Sequence, residues 1–381
     1  LRFAPDLFTW RENGIPITLN YRNTPVEPNM LSRLNMLING QFIDGFILSN
    51  KSSDTLSSQT ILPILANEKL NQSRQDFELN GLDLSTNNQL TYDFNFAVSK
   101  SGECSAIPAG GEFGAIDGSS SIDVSRFHHY IAMPNLRAFA NAGFPFTKFA
   151  DLHQSTLLME ANSSVKAISL LLNFTGHLGA ITGYPTHQLD IQFPSEQLNL
   201  TDKDIIIIGK PDSFTQSLTK DSDLSVLINN SQRIVDQAIY NGAYDTQDSD
   251  KVKVSIKSVG RLAVISGFQS PFDSERSVVA LIATNDNAYT LLSDTLLSDE
   301  KTAQIMGSSA IINSQGIKTI KTDEQYYVGQ VPIHTLIWFH LSDRPFVLAI
   351  LSLITLLLIS FIFWRLLALL TKKRLSEGDN A

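Results

Sequence analysis

Cysteine is nearly absent: Cys104 is the one thiol in 381 residues. One thiol cannot close an internal bridge, so a disulfide framework is excluded. Cys104 is either a small buried hydrophobe or half of a bridge to a cysteine outside this sequence. Basic residues are also short, with 29 Lys and Arg against 38 Asp and Glu and a formal charge of -9. Binding a phosphate backbone needs a basic surface, which excludes nucleic acid as an expected partner. The sequence has no G-x-G-x-x-G and no G-x-x-x-x-G-K-[ST], so the usual glycine-rich phosphate loops are missing. It has no G-x-S-x-G elbow for a serine nucleophile either. No repeat with a period of 20 to 50 residues and no low-complexity tract occurs, which excludes a solenoid or propeller.

Long apolar runs are scarce too, with one exception. Phe346 to Trp364 carries 19 residues without charge, glycine or proline. At about 1.5 Å per residue it spans roughly 28 Å, close to the hydrocarbon thickness of a bilayer. The competing reading is a buried core helix, but core helices are rarely apolar all round over this length. Asp343 and Arg344 precede the run; Arg365, Lys372, Lys373 and Arg374 follow it. The positive-inside bias then makes residues 371–381 a cytoplasmic tail and puts the bulk of the chain across the membrane. Crossing needs an export signal, yet Pro5, Arg11 and Glu12 interrupt any apolar run near the start. The sequence is therefore expected to be the C-terminal portion of a longer protein.

Residues 1–125 read as strands. Ile15 to Tyr21 and Arg33 to Asn39 alternate at period two, as does Gln89 to Phe96. Asn39-Gly40, between alternating runs, is a hairpin signal. Thr60 to Leu65 is a further strand candidate. Short strands between turn clusters predict a β-sandwich of jelly-roll kind, ending near Ser125. Residues 126–330 alternate strands and helices. Thr156 to Met159 predicts a buried strand. Ser163 or Ser164 caps a helix from Val165 to about Ile181, with apolar positions at Ile168, Leu171, Leu172 and Phe174. Asp204 to Gly209 predicts a central parallel strand. Helices are expected at Ser222 to Ile239 and Asn287 to Leu297. Strands or short apolar pieces are expected at Val252 to Ile256, Leu262 to Ile265 and Val278 to Ile282. This alternation predicts a doubly wound α/β domain. Residues 331–343 suit an amphipathic helix in the membrane interface, and residues 344–370 the anchor. Ile333, Ile337, Trp338 and Phe339, then Phe346, Leu357, Trp364 and Arg365, are the expected contacts with lipid or a membrane partner. Arg365 either snorkels to headgroups or pairs with an acidic group of that partner.

Candidates for chemistry are few. The first strand–helix junction, Met159 to Ser164, has no glycine and carries Glu160 where a phosphate would sit. After the second, Pro211 lacks an N–H donor. No cofactor is expected. His128, His129 and Tyr130, with Asp123 and His153, allow a metal or acid–base site, although the spacing matches no zinc pattern. Separate structural histidines are the alternative. Asp245, Asp248 and Asp250 read as a solvated loop. Phe8, Trp10, Tyr21 and Phe46 are candidates for an aromatic platform under a sugar ring, with core packing the alternative for each.

Several segments carry a resemblance. Tyr130-Ile131-Ala132-Met133-Pro134 runs into Asn135 to Phe146 (NLRAFANAGFPF). Asn39 to Phe46 (NGQFIDGF), Ser266 to Pro271 (SGFQSP), Glu275 to Val278, Tyr326 to Gly329 (YYVG) and Trp364 to Leu367 follow the same pattern. In this order the chain resembles the periplasmic regulatory-subunit family of bacterial cellulose synthase. The resemblance implies a carbohydrate-binding-like jelly roll, a flavodoxin-like α/β domain, an amphipathic interface helix and one C-terminal transmembrane helix. It implies an inner-membrane protein, single-pass, with a periplasmic bulk. The implied partners are the catalytic subunit of cellulose synthase, the nascent cellulose and the membrane, with self-association as a further possibility. It implies a non-catalytic accessory subunit rather than an enzyme. A self-assembling periplasmic scaffold and a polysaccharide-modifying enzyme remain the alternatives. The family is described as binding cyclic di-GMP. That dinucleotide is cytoplasmic and the tail is short, so direct binding by this chain is not expected.

Overall fold

The computed structural model describes residues 1–26, 31–48, 70–81, 84, 87–97, 111–193, 200–210, 261–321, 325–342 and 344–378, with side chains of the last helix described to residue 370. Residues 1–329 form one compact unit and residues 330–381 another. The first unit begins with β1 (Leu7–Phe8), β2 (Ile15–Asn23), β3 (Arg33–Ile38), β4 (Gln41–Ile47), β5 (Asn71–Leu79), β6 (Leu90–Asn95), β7 (Gly114–Ile116) and β8 (Ser121–Ile122). Period-two alternation buries Ile15, Ile17, Leu19 and Tyr21 of β2 and Leu34, Met36 and Ile38 of β3. Asn39 and Gly40 both take positive φ, 52° and 81°. Two positive φ values in a two-residue loop suit the right-handed twist of a hairpin, so β3 and β4 pair antiparallel. One antiparallel sheet runs β5-β2-β7 with β8 also on β2, and another runs β4-β3-β6. They share a core. Leu19 and Tyr21 of β2 meet Leu34 of β3, with Phe46 and Phe94 packed alongside. Ile15 and Ile17 meet Ile38 in the same way. Each such side chain contributes about 1.5–3 kcal/mol by leaving water.

Next come β9 (His128–Met133), α1 (Leu136–Ala142), β10 (Ser155–Met159), α2 (Val165–Thr182), β11 (Asp190–Gln192), β12 (Asp204–Gly209), β13 (Ala263–Gln269), β14 (Ser277–Ala283), α3 (Ala288–Leu296), α4 (Asp299–Thr302), β15 (Ser309–Asn313), β16 (Gly316–Ile320) and β17 (Tyr326–Gln330). A seven-stranded sheet has the order β11-β10-β12-β14-β13-β15-β16. All of β12 is buried, and it pairs in parallel with β10 and β14, as its β-branched run predicts. The expected doubly wound parallel arrangement holds only from β11 to β14. β13 is antiparallel to both β14 and β15, and β15 to β16. The loop from Ser270 to Arg276 is too short for the dozen or more residues of a parallel crossover, so β14 must turn back on β13.

Helix ends obey local signals. Ser164 accepts a hydrogen bond from the Ala167 amide at the start of α2, and Gly183, at φ 69°, ends it. The buried face differs from the expected one. Ala167, Leu170, Leu171, Phe174 and Leu178 face the sheet. Ile168 and Leu172 are 44% and 64% exposed. Leu171 and Phe174 are thus placed correctly, and the stripe through Ile168 and Leu172 points outward.

At the N-terminal end of β12, buried Asp204 accepts from the Ser277 amide at 2.8 Å and from Arg276 Nη1 at 3.4 Å. Arg276 also donates to Gln154 at 2.7 Å, and the Tyr326 hydroxyl donates to Ser277 Oγ at 2.8 Å. Burial raises the Asp204 carboxyl above its ordinary range, opposed by Lys148, the Ser277 amide and Arg276. Strands β1, β9 and β17 make a fourth sheet, which joins strands from both sides of residue 125. Gly329 in β17 has φ 97°, and a Cβ there would lie 2.1 Å from the His129 carbonyl oxygen.

The second unit has two helices, α5 (Ile333–Ser342) and α6 (Pro345–Gly378). Within α6, the most apolar window of Pro345–Leu370 has a mean hydropathy of 2.9, and none of that window is buried. The expected strands at 60–65 and 252–256, the helix at 222–239, Cys104, Pro211, Asp245, Asp248, Asp250 and the final residues of the tail lie outside the described residues.

Candidate functional site

In an α/β sheet, ligands gather where parallel strands end. Here β10 leads to Glu160, β12 to Lys210 and β14 to Asp286 and Asn287. Lys210 Nζ stands 2.7 Å from Asp286 Oδ1. Lys166, in the first turn of α2, donates to Asn287 Oδ1. The Lys210 hydrogen bond holds the Asp286 carboxyl below the usual carboxylate range, aided by the Lys210 charge, the Ser164 hydroxyl and Lys166. Behind them Tyr289 is 3% exposed, and burial pushes its hydroxyl up, with Asp286 and Glu160 adding to the shift. The mouth of the sheet is thus laced by a Lys–Asp pair and carries carboxylates where a phosphate would need bare N–H groups.

The histidines disperse. His128 and His129 lie on β9 opposite Phe8 and Leu7. His129 Nδ1 is 3.1 Å from Asp6 Oδ1, whose residue is 7% exposed. His153 Nδ1 is 2.7 Å from Asp151, and its hydrogen bond lowers that carboxyl. Asp123 accepts from the amide and hydroxyl of Ser125 at 2.9 and 2.6 Å. Tyr130 stacks on Tyr327 at 5.1 Å between ring centroids. His129, His153, Asp123 and Tyr130 therefore each have their own local partner. Among the described residues, no group of three or more His, Cys, Asp or Glu gathers as a metal requires. A cavity of about 490 Å³ lies beside His129, lined also by Arg2, Asp6, Lys148 and Phe149.

The aromatic candidates separate by burial. Tyr21 is 1% exposed, and its ring packs edge-on to Phe94 at 6.2 Å. It belongs to the core, which corrects the platform expectation for this residue. Phe46 is half-buried against Phe77 at 5.8 Å, also facing inward. Phe8 is 8% exposed. Trp10 is half-buried with the Arg11 guanidinium 5.1 Å above its ring. In β4 the exposed ring is Phe42, at 60%. Pairing shifts between Met36 and Leu37, so Met36 faces Asp44 while Leu37 faces Phe42. Ile43 is the extra residue of a β-bulge and packs on the core.

In the second unit, Ile333, Ile337 and Trp338 are exposed at 76%, 59% and 42%. Phe339 is half-buried beside His340. Phe346, Leu357 and Trp364 are 84%, 59% and 64% exposed, and Arg365 is exposed among them.

Residues 1–121 match a family profile described as Cellulose synthase BcsB, second CBM domain, and residues 129–281 match one described as Cellulose synthase BcsB, second FD domain. The chain belongs to the cellulose synthase BcsB family. It is 34% identical over 385 residues to a protein of Salmonella typhi named Cyclic di-GMP-binding protein, covering 98% of this chain and 50% of that one. It is 32% identical over 389 residues to the Escherichia coli (strain K12) protein of the same name, covering 100% and 49%. A Komagataeibacter xylinus protein named Cellulose synthase 1 is 24% identical over 397 residues, covering all of this chain and 25% of that one. The chain spans about half the length of the first two relatives.

Within this BcsB frame, sequence reasoning named Phe46 in the NGQFIDGF segment and passed over Phe42. An irregularity of pairing leaves little trace in one strand's residues. The available signal was Gly45, since a glycine inside a strand often marks a bulge or a close approach.

Proposed function

We propose that this chain is the C-terminal half of a non-catalytic accessory subunit of bacterial cellulose synthase. The observation that carries the reading is α6, whose Phe346–Trp364 run holds no charge and whose most apolar window finds no cover among the described residues. Lipid and a membrane partner are the natural cover for it. The partner in this reading is the catalytic subunit. The Komagataeibacter xylinus relative supports it, because a region similar to this whole chain there forms a quarter of a polypeptide named cellulose synthase.

In this reading residues 1–125 are a jelly-roll carbohydrate-binding domain and residues 126–330 a flavodoxin-like domain. Residues 331–343 lie in the interface, residues 344–370 cross the inner membrane, and the tail from 371 is cytoplasmic. The bulk is then periplasmic and guides the emerging β-1,4-glucan. Ile333, Ile337, Trp338, Phe339, Phe346, Leu357 and Trp364 meet lipid or the catalytic subunit, and Arg365 snorkels to the cytoplasmic headgroups. Direct binding of cyclic di-GMP, the property in the relatives' name, lies outside this proposal. The Lys210–Asp286 pair across the mouth of the sheet supports a scaffold role for that domain.

Deletion of residues 331–370 is expected to abolish polymer synthesis by the complex reconstituted in vesicles. Incorporation of glucose into insoluble polymer is the measurement, and retained synthesis overturns the supporting role of the anchor.

A further inference from the structure

We propose that the outer face of the β4-β3-β6 sheet is a contact site for a neutral β-linked glucan, with Phe42 as its stacking platform. This rests on the accessory-subunit reading above and places its glucan contact on particular residues.

The bulge at Ile43 turns Phe42 away from the core, although Phe46, four residues on, faces inward. The ring then lies along the strand over Gly45. A Cβ at Gly45 would stand 3.3 and 3.6 Å from the Phe42 ring atoms Cζ and Cε2. Because glycine has no side chain, the ring can settle against the backbone. Its other side remains open, at 60% exposure.

The row beside the ring is polar. Gly45 pairs with Asn35, which pairs in turn with Asp93. The next row places Arg33 between Asn95 and Ile47, which is 57% exposed. Asn95 Nδ2 donates to Asp93 Oδ2 at 3.0 Å, which orients both groups.

This pattern fits the chemistry of a pyranose chain. Such a ring offers a C–H face that stacks on an aromatic, and a rim of hydroxyls that donate and accept. An amide serves both roles, a carboxylate accepts and a guanidinium donates. The Arg33 and Asp93 charges offset each other, as suits an uncharged ligand. Neighbouring strands lie about 4.8 Å apart and alternate residues of a strand about 6.8 Å apart, so the face is wide enough for more than one sugar unit. A protein partner would call for a larger continuous apolar centre than one ring and Ile47 with a polar row between them.

The test is calorimetric titration of the full chain in detergent micelles with cellohexaose. Phe42→Ala is expected to weaken binding roughly tenfold, the scale of losing one aromatic contact, and Phe42→Trp to restore it. Gly45→Ala is expected to weaken binding while keeping the ring, because its methyl lifts Phe42 off the backbone. Phe113, exposed at 52% before β7, is the control, and Phe113→Ala should bind as the wild type does. An unchanged thermal midpoint for each variant confirms folding. Wild-type binding that survives Phe42→Ala overturns this site and leaves the guidance reading standing. A wild-type chain that takes up no cellohexaose overturns both. A fall in apparent mass on Phe42→Ala with unchanged affinity assigns the face to a second copy and also overturns the site.

Discussion

Phe42 and Phe46 stand four residues apart in β4 and face opposite ways. A regular strand returns to the same face every second residue, so both rings would point inward. One inserted residue, Ile43, reverses everything on one side of it. Gly329 shows the opposite case, where one residue type is dictated by its surroundings. Its φ of 97° disfavours any side chain, and the His129 carbonyl fills the space a Cβ would need. Gly329→Ala is therefore expected to lower stability by roughly 3 kcal/mol, combining left-handed backbone cost and overpacking. A fall in the urea midpoint at constant m-value measures it, and an unchanged midpoint would mean that β17 does not close on β9 there. At this scale the glycine was legible as part of a motif, but its reason was not, because the clash is with a residue 200 positions earlier.

At the scale of elements, α2 was readable in its limits and misread in its face. Capping is local: the Ser164 oxygen meets an amide three residues on, and Gly183 ends the helix by its own φ. Orientation is not local. Val165, Ile168 and Leu172 form one apolar stripe, and Ala167, Leu170, Leu171, Phe174 and Leu178 another. Packing on the sheet selected the second. The loop after β12 and the loop after β14 are tied by Lys210 and Asp286. The folded carboxyl of Asp286 is depressed below its unfolded value of 3.8. Its stabilisation is therefore present above that value and is lost as pH falls through the folded one. The gap in Tm between the wild type and Asp286→Asn is expected to be open at pH 6 and to narrow below pH 3.8. Partial exposure of the pair keeps the gap small and sensitive to salt. A gap that stays constant down to pH 2 would show that the pair does not form.

For the whole molecule, the histidines matter through what they do not do together. His129 is bound to Asp6 and His153 to Asp151, so each imidazole has its own carboxylate rather than a shared site. Replacing His128 and His129 together by alanine is expected to leave polymer yield and polymer length unchanged in the reconstituted complex. Lost synthesis, or a changed chain length with the fold intact, would favour the polysaccharide-modifying alternative. The seven-stranded sheet gives a second lesson at this scale. Strand positions were legible from apolar runs, but their directions were not, since a buried run reads alike in either sense. Loop length carried the missing information at β13 and β14.

The sequence by itself determined what depends on neighbours along the chain. It set the bilayer-length helix, the Asn39-Gly40 turn, the caps of α2 and the alternating faces of β2 and β3, because hydropathy period, backbone φ and capping act within a few residues. The tertiary structure decided what depends on residues far apart in sequence. It turned β13 against β14, buried Tyr21, gave His129 and His153 separate carboxylates and brought Phe42 outward over Gly45. Strand pairing, packing and desolvation arise only when distant segments meet, so a single strand's residues cannot record them.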